Sequence, residues 1–144
     1  MHSMLVHAHS GLRWLVLIFL ILAIVTAWGK WSKQTAYPDG KLPLLGFIFT
    51  HVQLLLGFIL YFISPKVQFA SGVMKDSMLR FYTVEHIVLM LLAIALITVG
   101  YIKAKKQIPS PLGHRTIVRY YAIGLALILL SIPWPFRGLG AGWF

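Results

Sequence analysis

Four long apolar runs dominate the hydrophobic pattern of the chain, and short polar segments separate them. The runs cover about residues 5–29, 42–64, 80–102 and 117–136. Each run is continuously apolar instead of alternating, and about 20 helical residues are enough to cross roughly 30 Å of hydrocarbon. Because a helix satisfies its own backbone hydrogen bonds in lipid, this pattern predicts four transmembrane helices.

The polar segments between the runs are short and contain turn-forming residues. The first has the sequence PDG at 38–40, the second mixes Lys, Gly and Ser over 65–79, and the third contains Pro109 and Pro111. Short links make neighbouring helices antiparallel. The predicted fold is therefore an all-α integral membrane protein, a single domain over residues 1–144 built as an up-down-up-down four-helix bundle.

Composition places this bundle in a bilayer. Hydrophobic residues make up 59% of the chain and charged residues only 11%, whereas soluble domains carry about 25% charged residues. The net charge of +10 would fit nucleic acid in a soluble chain. Here most basic residues lie between the apolar runs, where they contact lipid headgroups, so the expected partner is the bilayer and not nucleic acid.

Basic residues are unevenly divided between the two ends of the predicted bundle, which predicts its orientation. Since cytoplasmic segments are enriched in Lys and Arg, we expect both termini outside the cytoplasm. We also expect the first run to remain as a span, because no basic segment precedes it and no small-residue cleavage site follows. Eight basic residues lie in the first and third connections or at the edge of the fourth run, against five at the other end: Lys30, Lys33, Lys41, Lys103, Lys105, Lys106, Arg115 and Arg119, against Arg13, Lys66, Lys75, Arg80 and Arg137.

The last residues of the chain have a different pattern. Pro133 and Pro135 interrupt the end of the fourth run, and a Gly-rich stretch follows up to Phe144. Since proline does not continue a helix, we expect a tail folded across the outer face of the bundle.

Several kinds of chemistry are excluded by residue usage. The chain has no cysteine, which rules out disulfides, thiolate metal sites and the covalent attachment of a c-type haem. It also lacks the motifs of hydrolases and of nucleotide-binding enzymes. The only enzymatic role indicated is that of an electron-transfer subunit of an oxidoreductase.

Ionisable side chains within the predicted spans are the candidates for function, because such residues are costly in lipid. His9 and His86 lie at nearly the same depth, with an axial offset of about 5 Å from a rise of about 1.5 Å per residue. His51 is offset from His86 by roughly 11 Å on the same basis. A b-type haem needs two imidazoles on opposite faces of its iron, so the depths favour His9 and His86, on diagonal helices one and three, with His51 as the alternative partner.

Charged residues near this pair leave three interpretations open. In the haem interpretation, Arg13 or Arg80 neutralises a haem propionate. In the second, Arg13 and Glu85 form an ion pair that locks the helices of a cofactor-free membrane subunit or assembly factor. In the third, an oligomer conducts protons or small solutes through Glu85 and His86.

Four motifs carry a resemblance that covers nearly the whole chain: HSGLRW at 9–14, THVQLLLG at 50–57, RFYTVEH at 80–86 and SIPWPFRGLGAGWF at 131–144. With them the chain resembles short four-span bacterial membrane proteins labelled cytochrome b-like. The resemblance implies a bis-histidine b-haem protein of the bacterial cytoplasmic membrane, with His9, His51 and His86 as ligand candidates. It further implies a quinone, a redox protein or a larger membrane complex as partner.

Overall fold

A computed structural model describes all residues from 1 to 144, and the fold is all-α without any strand. Two short 3-10 turns, Val73–Lys75 and Pro135–Arg137, lie in the connecting and terminal segments. The predicted helical class is thereby confirmed. The four long helices are α1 (His2–Ser32), α2 (Leu42–Ile63), α3 (Ser77–Lys106) and α4 (Leu112–Ser131).

Three of these helices, α1, α2 and α3, are long and apolar enough to cross a membrane. The fourth helix is less apolar because its first half carries Arg115, Arg119 and two tyrosines. It also ends at Ser131, five residues before the predicted end of the fourth span. Pro133 and Pro135 account for the early end, since neither can donate a backbone hydrogen bond to the last helical carbonyls.

The helices form a ring in chain order. Helix α1 packs against α2 and α4, while α3 packs closely on α4 and contacts α2 more sparsely. Helices α1 and α3 therefore occupy opposite corners, which is the relative placement that the sequence predicted for them. The core between α1, α3 and α4 is filled by fully buried side chains: Leu20, Ala23, Ile97, Ile117 and Tyr121.

The interface of α3 and α4 depends on glycine. A Cβ added at Gly124 would lie 2.8 Å from Ile97 Cγ1 and 3.2 Å from the carbonyl oxygen of Ala93. Real Cβ atoms essentially never show the first of these distances, so a side chain at this position would require Ile97 to shift. Small residues at helix interfaces are typical of membrane proteins, where close van der Waals contact replaces the hydrophobic effect between helices.

Helix α3 contains a π-helical turn at Phe81–Glu85, directly before His86. The carbonyl oxygen of Thr83 in this turn accepts a 2.9 Å hydrogen bond from the Tyr61 hydroxyl of α2, and the Thr83 hydroxyl accepts from the backbone N–H of Gln68 at 3.1 Å. The turn thus joins α3 to α2 and to the connection that follows α2. Such turns change the direction of the side chains on either side of them and are frequent at functional sites.

Residues 132–144, called the tail below, fold across one end of the bundle, as the two prolines predicted. Four side chains outside the tail donate to its carbonyl groups: Tyr82 to Leu139 at 2.9 Å, Lys66 to Gly140 at 2.7 Å, and Arg13 and Trp14 to Trp143 at 2.6 Å and 3.1 Å. The donors come from α3, the connection after α2, and α1. The tail therefore ties three elements together at the end that contains His9 and His86.

The opposite end of the bundle has a filled core. Tyr37, in the first connection, is 3% exposed and its backbone N–H donates to the carbonyl of Pro109 in the third connection at 3.2 Å. Its ring lies edge-on to His114, with 5.1 Å between ring centres. Burial, with a smaller contribution from Tyr101, raises the pKa of Tyr37 to about 12, so the phenol is neutral. These contacts are structural.

Candidate functional site

A cavity of about 500 Å³ lies beneath the tail, between α1, α2 and α3. This volume falls within the range of about 300–1,000 Å³ that is usual for ligand and cofactor sites. The residues that line the cavity include no Asp or Glu. Each of the three helices contributes to the lining: His9 and Arg13 from α1, Gln53 and Gly57 from α2, and His86 and Met90 from α3.

His9 and His86 meet in this cavity. Their ring centres are 6.4 Å apart, and the ring planes are inclined by 73°. Because α1 and α3 sit at opposite corners of the bundle, the two rings approach each other from opposite sides. The structure thus brings together the pair that the estimated depths favoured.

The end of α4 fixes the orientation of His86. The last carbonyl groups of a helix have no intrahelical partner, and the carbonyl oxygen of Ser131 lies 2.8 Å from His86 Nδ1. A carbonyl only accepts, so Nδ1 carries the proton and donates. In a neutral imidazole the other nitrogen, Nε2, then has a free lone pair. No hydrogen bond within the chain uses this Nε2.

His9 has ring nitrogens that the protein does not satisfy. Its Nδ1 is buried without a hydrogen-bond partner, and so is Oε1 of the adjacent Gln53. Gln53 Nε2 donates to the carbonyl oxygen of His9 at 2.8 Å, which ties α2 to α1 at this level. Leaving a buried polar atom unpaired costs about 1–3 kcal/mol. Both unpaired atoms belong to residues that line the cavity.

Gly57 makes room for the His9 ring. A Cβ added at this position would lie 3.3 Å from His9 Cε1 and 3.9 Å from Nδ1. Any larger side chain on this face of α2 would press on the imidazole. The absence of a side chain at Gly57 therefore leaves space beside the His9 ring, whose Nδ1 has no hydrogen-bond partner.

Arg13 is buried at the edge of the cavity, with 7% of its surface exposed. Its guanidinium carbon lies 5.4 Å from the centre of the Trp14 ring and 5.7 Å from that of Trp134, and Nη2 donates to the carbonyl of Trp143. Its Nε is buried without a partner. Arg13 thus presents an uncompensated positive charge beside His9.

The predicted ion pair between Arg13 and Glu85 does not form. Glu85 Oε1 instead accepts from Arg80 Nε at 2.7 Å, and Arg13 turns towards the tail. Arg80 and Glu85 lie at the two ends of the π-helical turn, so they pair locally. Both side chains are about two-fifths exposed and outside the cavity, and no hydrogen bond links the Glu85 carboxylate to His86.

Of the two arginines expected near a haem propionate, only Arg13 lines the cavity; Arg80 binds Glu85 and the carbonyl of Met74. A second cation that sequence reasoning missed, Lys66, lies on the cavity wall. Its Nζ is 4.8 Å from the centre of the Tyr82 ring and donates to the tail. Nothing in the sequence near Lys66 signals this role, because the contacts come from elements distant along the chain.

His51 lies outside the cavity. Its Nδ1 is 2.7 Å from the carbonyl oxygen of Phe47, and its Nε2 is 3.1 Å from Thr98 Oγ1. Both ring nitrogens therefore have partners within the bundle. The structure does not bring His51 to the pair formed by His9 and His86.

Comparisons with known proteins leave the site to be interpreted from its own residues. No protein-family model, no curated protein and no solved structure matches the chain. Within the chain, no three His, Asp or Glu side chains cluster as a metal-binding group. Four imidazoles line the cavity, those of His2, His7, His9 and His86, and the rings of His9 and His86 form a pair with centres 6.4 Å apart.

Proposed function

We propose that this chain is a membrane protein that binds one b-type haem between α1 and α3, that His9 and His86 would hold its iron, and that it serves electron transfer or redox sensing. The observation that carries the proposal is the 6.4 Å separation of the two ring centres. A metal bound to one nitrogen of each ring through bonds of about 2 Å keeps the ring centres roughly 6 Å apart. The pair already has this spacing.

The hydrogen bonds of His86 support the same assignment. Histidines that bind metals usually donate their other N–H to a carbonyl or carboxylate, which fixes the tautomer and the ring orientation. The contact of Nδ1 with the carbonyl of Ser131 is of this kind. It holds His86 with Nε2 ready to act as a ligand.

The charges and the apolar wall of the cavity suit an anionic, flat ligand. Haem carries two propionate carboxylates, and Arg13 and Lys66 line the cavity without any Asp or Glu to compensate them. Phe58, Met90 and Ile94 contribute apolar surface. Since charge-assisted hydrogen bonds are stronger where water is excluded, Arg13 is the residue best placed to hold a propionate. When bound, haem supplies reversible one-electron chemistry.

The test is the absorption spectrum of the protein purified from haem-replete cells. We expect a Soret band and a reduced α-band of a low-spin, bis-histidine haem, and their loss in His9→Ala and in His86→Ala. The matched control is His51→Ala, which removes a third intramembrane imidazole and should retain the spectrum because His51 lies outside the cavity.

Three results would contradict the proposal. A folded, colourless wild-type protein would favour the cofactor-free subunit, and a normal spectrum in His86→Ala would exclude the proposed ligand. Loss of the spectrum in His51→Ala, with retention in His9→Ala, would mean that His51 and not His9 is the second ligand beside His86. Folding of each variant is checked by circular dichroism and by its elution profile in detergent.

A further inference from the structure

A second, smaller recess lies at the other end of the bundle, on the outer surface between α1 and α4. We call it the Trp–Arg groove; its volume is about 280 Å³. It is separate from the histidine cavity and shares no residue with it. The groove is lined by Trp28, Trp31, Arg115, Val118 and Arg119.

The two arginines of the groove lie on one face of α4. Residues four apart are neighbours on a helix, so the Arg115 and Arg119 side chains extend from the same side. The guanidinium carbon of Arg115 lies 5.7 Å from the centre of the Trp31 ring. Neither arginine has an acidic partner, since the ion pairs of the chain are Lys30 with Asp39 and Arg80 with Glu85.

The groove also borders apolar surface that faces away from the bundle. Trp28 is 62% exposed, and Val25, three residues earlier on α1, is equally exposed. Tryptophan prefers the boundary between lipid headgroups and hydrocarbon, because its ring has an apolar body and a polar N–H. The two indoles therefore place the groove at this boundary, with the arginines on the headgroup side.

We propose that the Trp–Arg groove binds the headgroup of an anionic phospholipid. Guanidinium groups bind phosphate oxygens through paired, charge-assisted hydrogen bonds, and basic recesses between membrane helices are suited to anionic headgroups. The phosphate lies between Arg115 and Arg119, and the indoles contact the glycerol and the upper acyl carbons. The lipid thus occupies a defined site and bridges α1 and α4.

The experiment is native mass spectrometry of the full-length protein in detergent, titrated with phosphatidylglycerol or with phosphatidylcholine. We expect wild type to retain one phosphatidylglycerol at concentrations where phosphatidylcholine is not retained. The double variant Arg115→Gln/Arg119→Gln should need at least about tenfold more phosphatidylglycerol for the same retention. This is the effect expected from losing a charge-assisted hydrogen bond. If the double variant does not fold, the single variant Arg119→Gln replaces it in the experiment. It should also retain phosphatidylglycerol less well than wild type.

The matched control is Lys33→Gln/Lys106→Gln, which removes the same charge at the same end from exposed side chains outside the groove. It should retain phosphatidylglycerol as wild type does. Equal loss in this control would mean that net charge, not the groove, attracts the lipid. Unchanged retention in the arginine variants, or displacement of the lipid by inorganic phosphate at constant ionic strength, would likewise overturn the proposal.

Discussion

The carbonyl oxygen of Ser131 decides which nitrogen of His86 is free. It is a buried backbone atom without a partner within the helix, because α4 ends there and two prolines follow within four residues. Its 2.8 Å contact with Nδ1 leaves Nε2 as the nitrogen with a free lone pair. A single helix end thus sets the chemistry of an imidazole on another helix.

Gly57 provides a test of the cavity that leaves both histidines in place. Gly57→Leu should displace the His9 ring, which a Cβ at this position would already approach to 3.3 Å, so the low-spin spectrum should weaken or become high-spin. The control is Gly29→Leu, since Gly29 has no atom within 4 Å of its added Cβ. An unchanged spectrum in Gly57→Leu would show that the cofactor does not depend on the position of His9.

For individual residues, the sequence predicted which side chains form the site better than it predicted the contacts that those side chains make. The depths of His9 and His86 follow from their positions in the apolar runs, so their meeting was foreseeable. The pairing of Glu85 with Arg80 could not be foreseen, because the π-helical turn at Phe81–Glu85 has no signature in the hydrophobic pattern. The position of Lys66 on the cavity wall could not be foreseen either, because it depends on how the tail folds across the bundle.

The hydrophobic pattern predicted the four long helices, but it did not predict all of their first and last residues. Continuous apolar runs predicted four helices, and the proline pair predicted the tail. Helix α1 begins at His2 and α3 extends to Lys106, beyond the apolar runs, because polar residues continue a helix as readily as apolar ones once it has formed.

The packing of α3 on α4 should be sensitive to one methyl group. We expect Gly124→Ala to lower the free energy of unfolding by about 1–3 kcal/mol, the usual cost of overpacking, because the new Cβ would lie 2.8 Å from Ile97. The measurement is denaturant unfolding in detergent, with Gly29→Ala as the control in open surroundings. Equal stability of the two variants would mean that α3 and α4 adjust without cost.

The outer surface of the whole molecule is apolar on all four long helices. Helix α4 contributes as well, since Ile123 is 55% and Leu130 68% exposed. An apolar outer surface is what a lipid-facing helix requires, so it supports a fourth crossing even though α4 is shorter and more polar in its first half.

Topology can be measured directly because the chain has no cysteine. Single cysteines are introduced at exposed positions and labelled with a membrane-impermeant maleimide in intact and in opened cells. We expect Ser3→Cys, Ser71→Cys and Gly142→Cys to react from outside, and Gln34→Cys and Lys106→Cys only after opening. Reaction of Gly142→Cys and Ser71→Cys from different sides would show that α4 does not cross.

The position of the tail after both histidines in the sequence has a consequence for synthesis. Ribosomes make the N-terminal part of a chain first, at about 5–20 residues per second, so both histidines exist before Ser131 and the tail are made. Until residues 131–144 are made, the cavity lacks the segment that covers it and the carbonyl that orients His86. The order of synthesis thus places both imidazoles in the chain before the carbonyl that orients one of them and before the segment that covers the cavity between them.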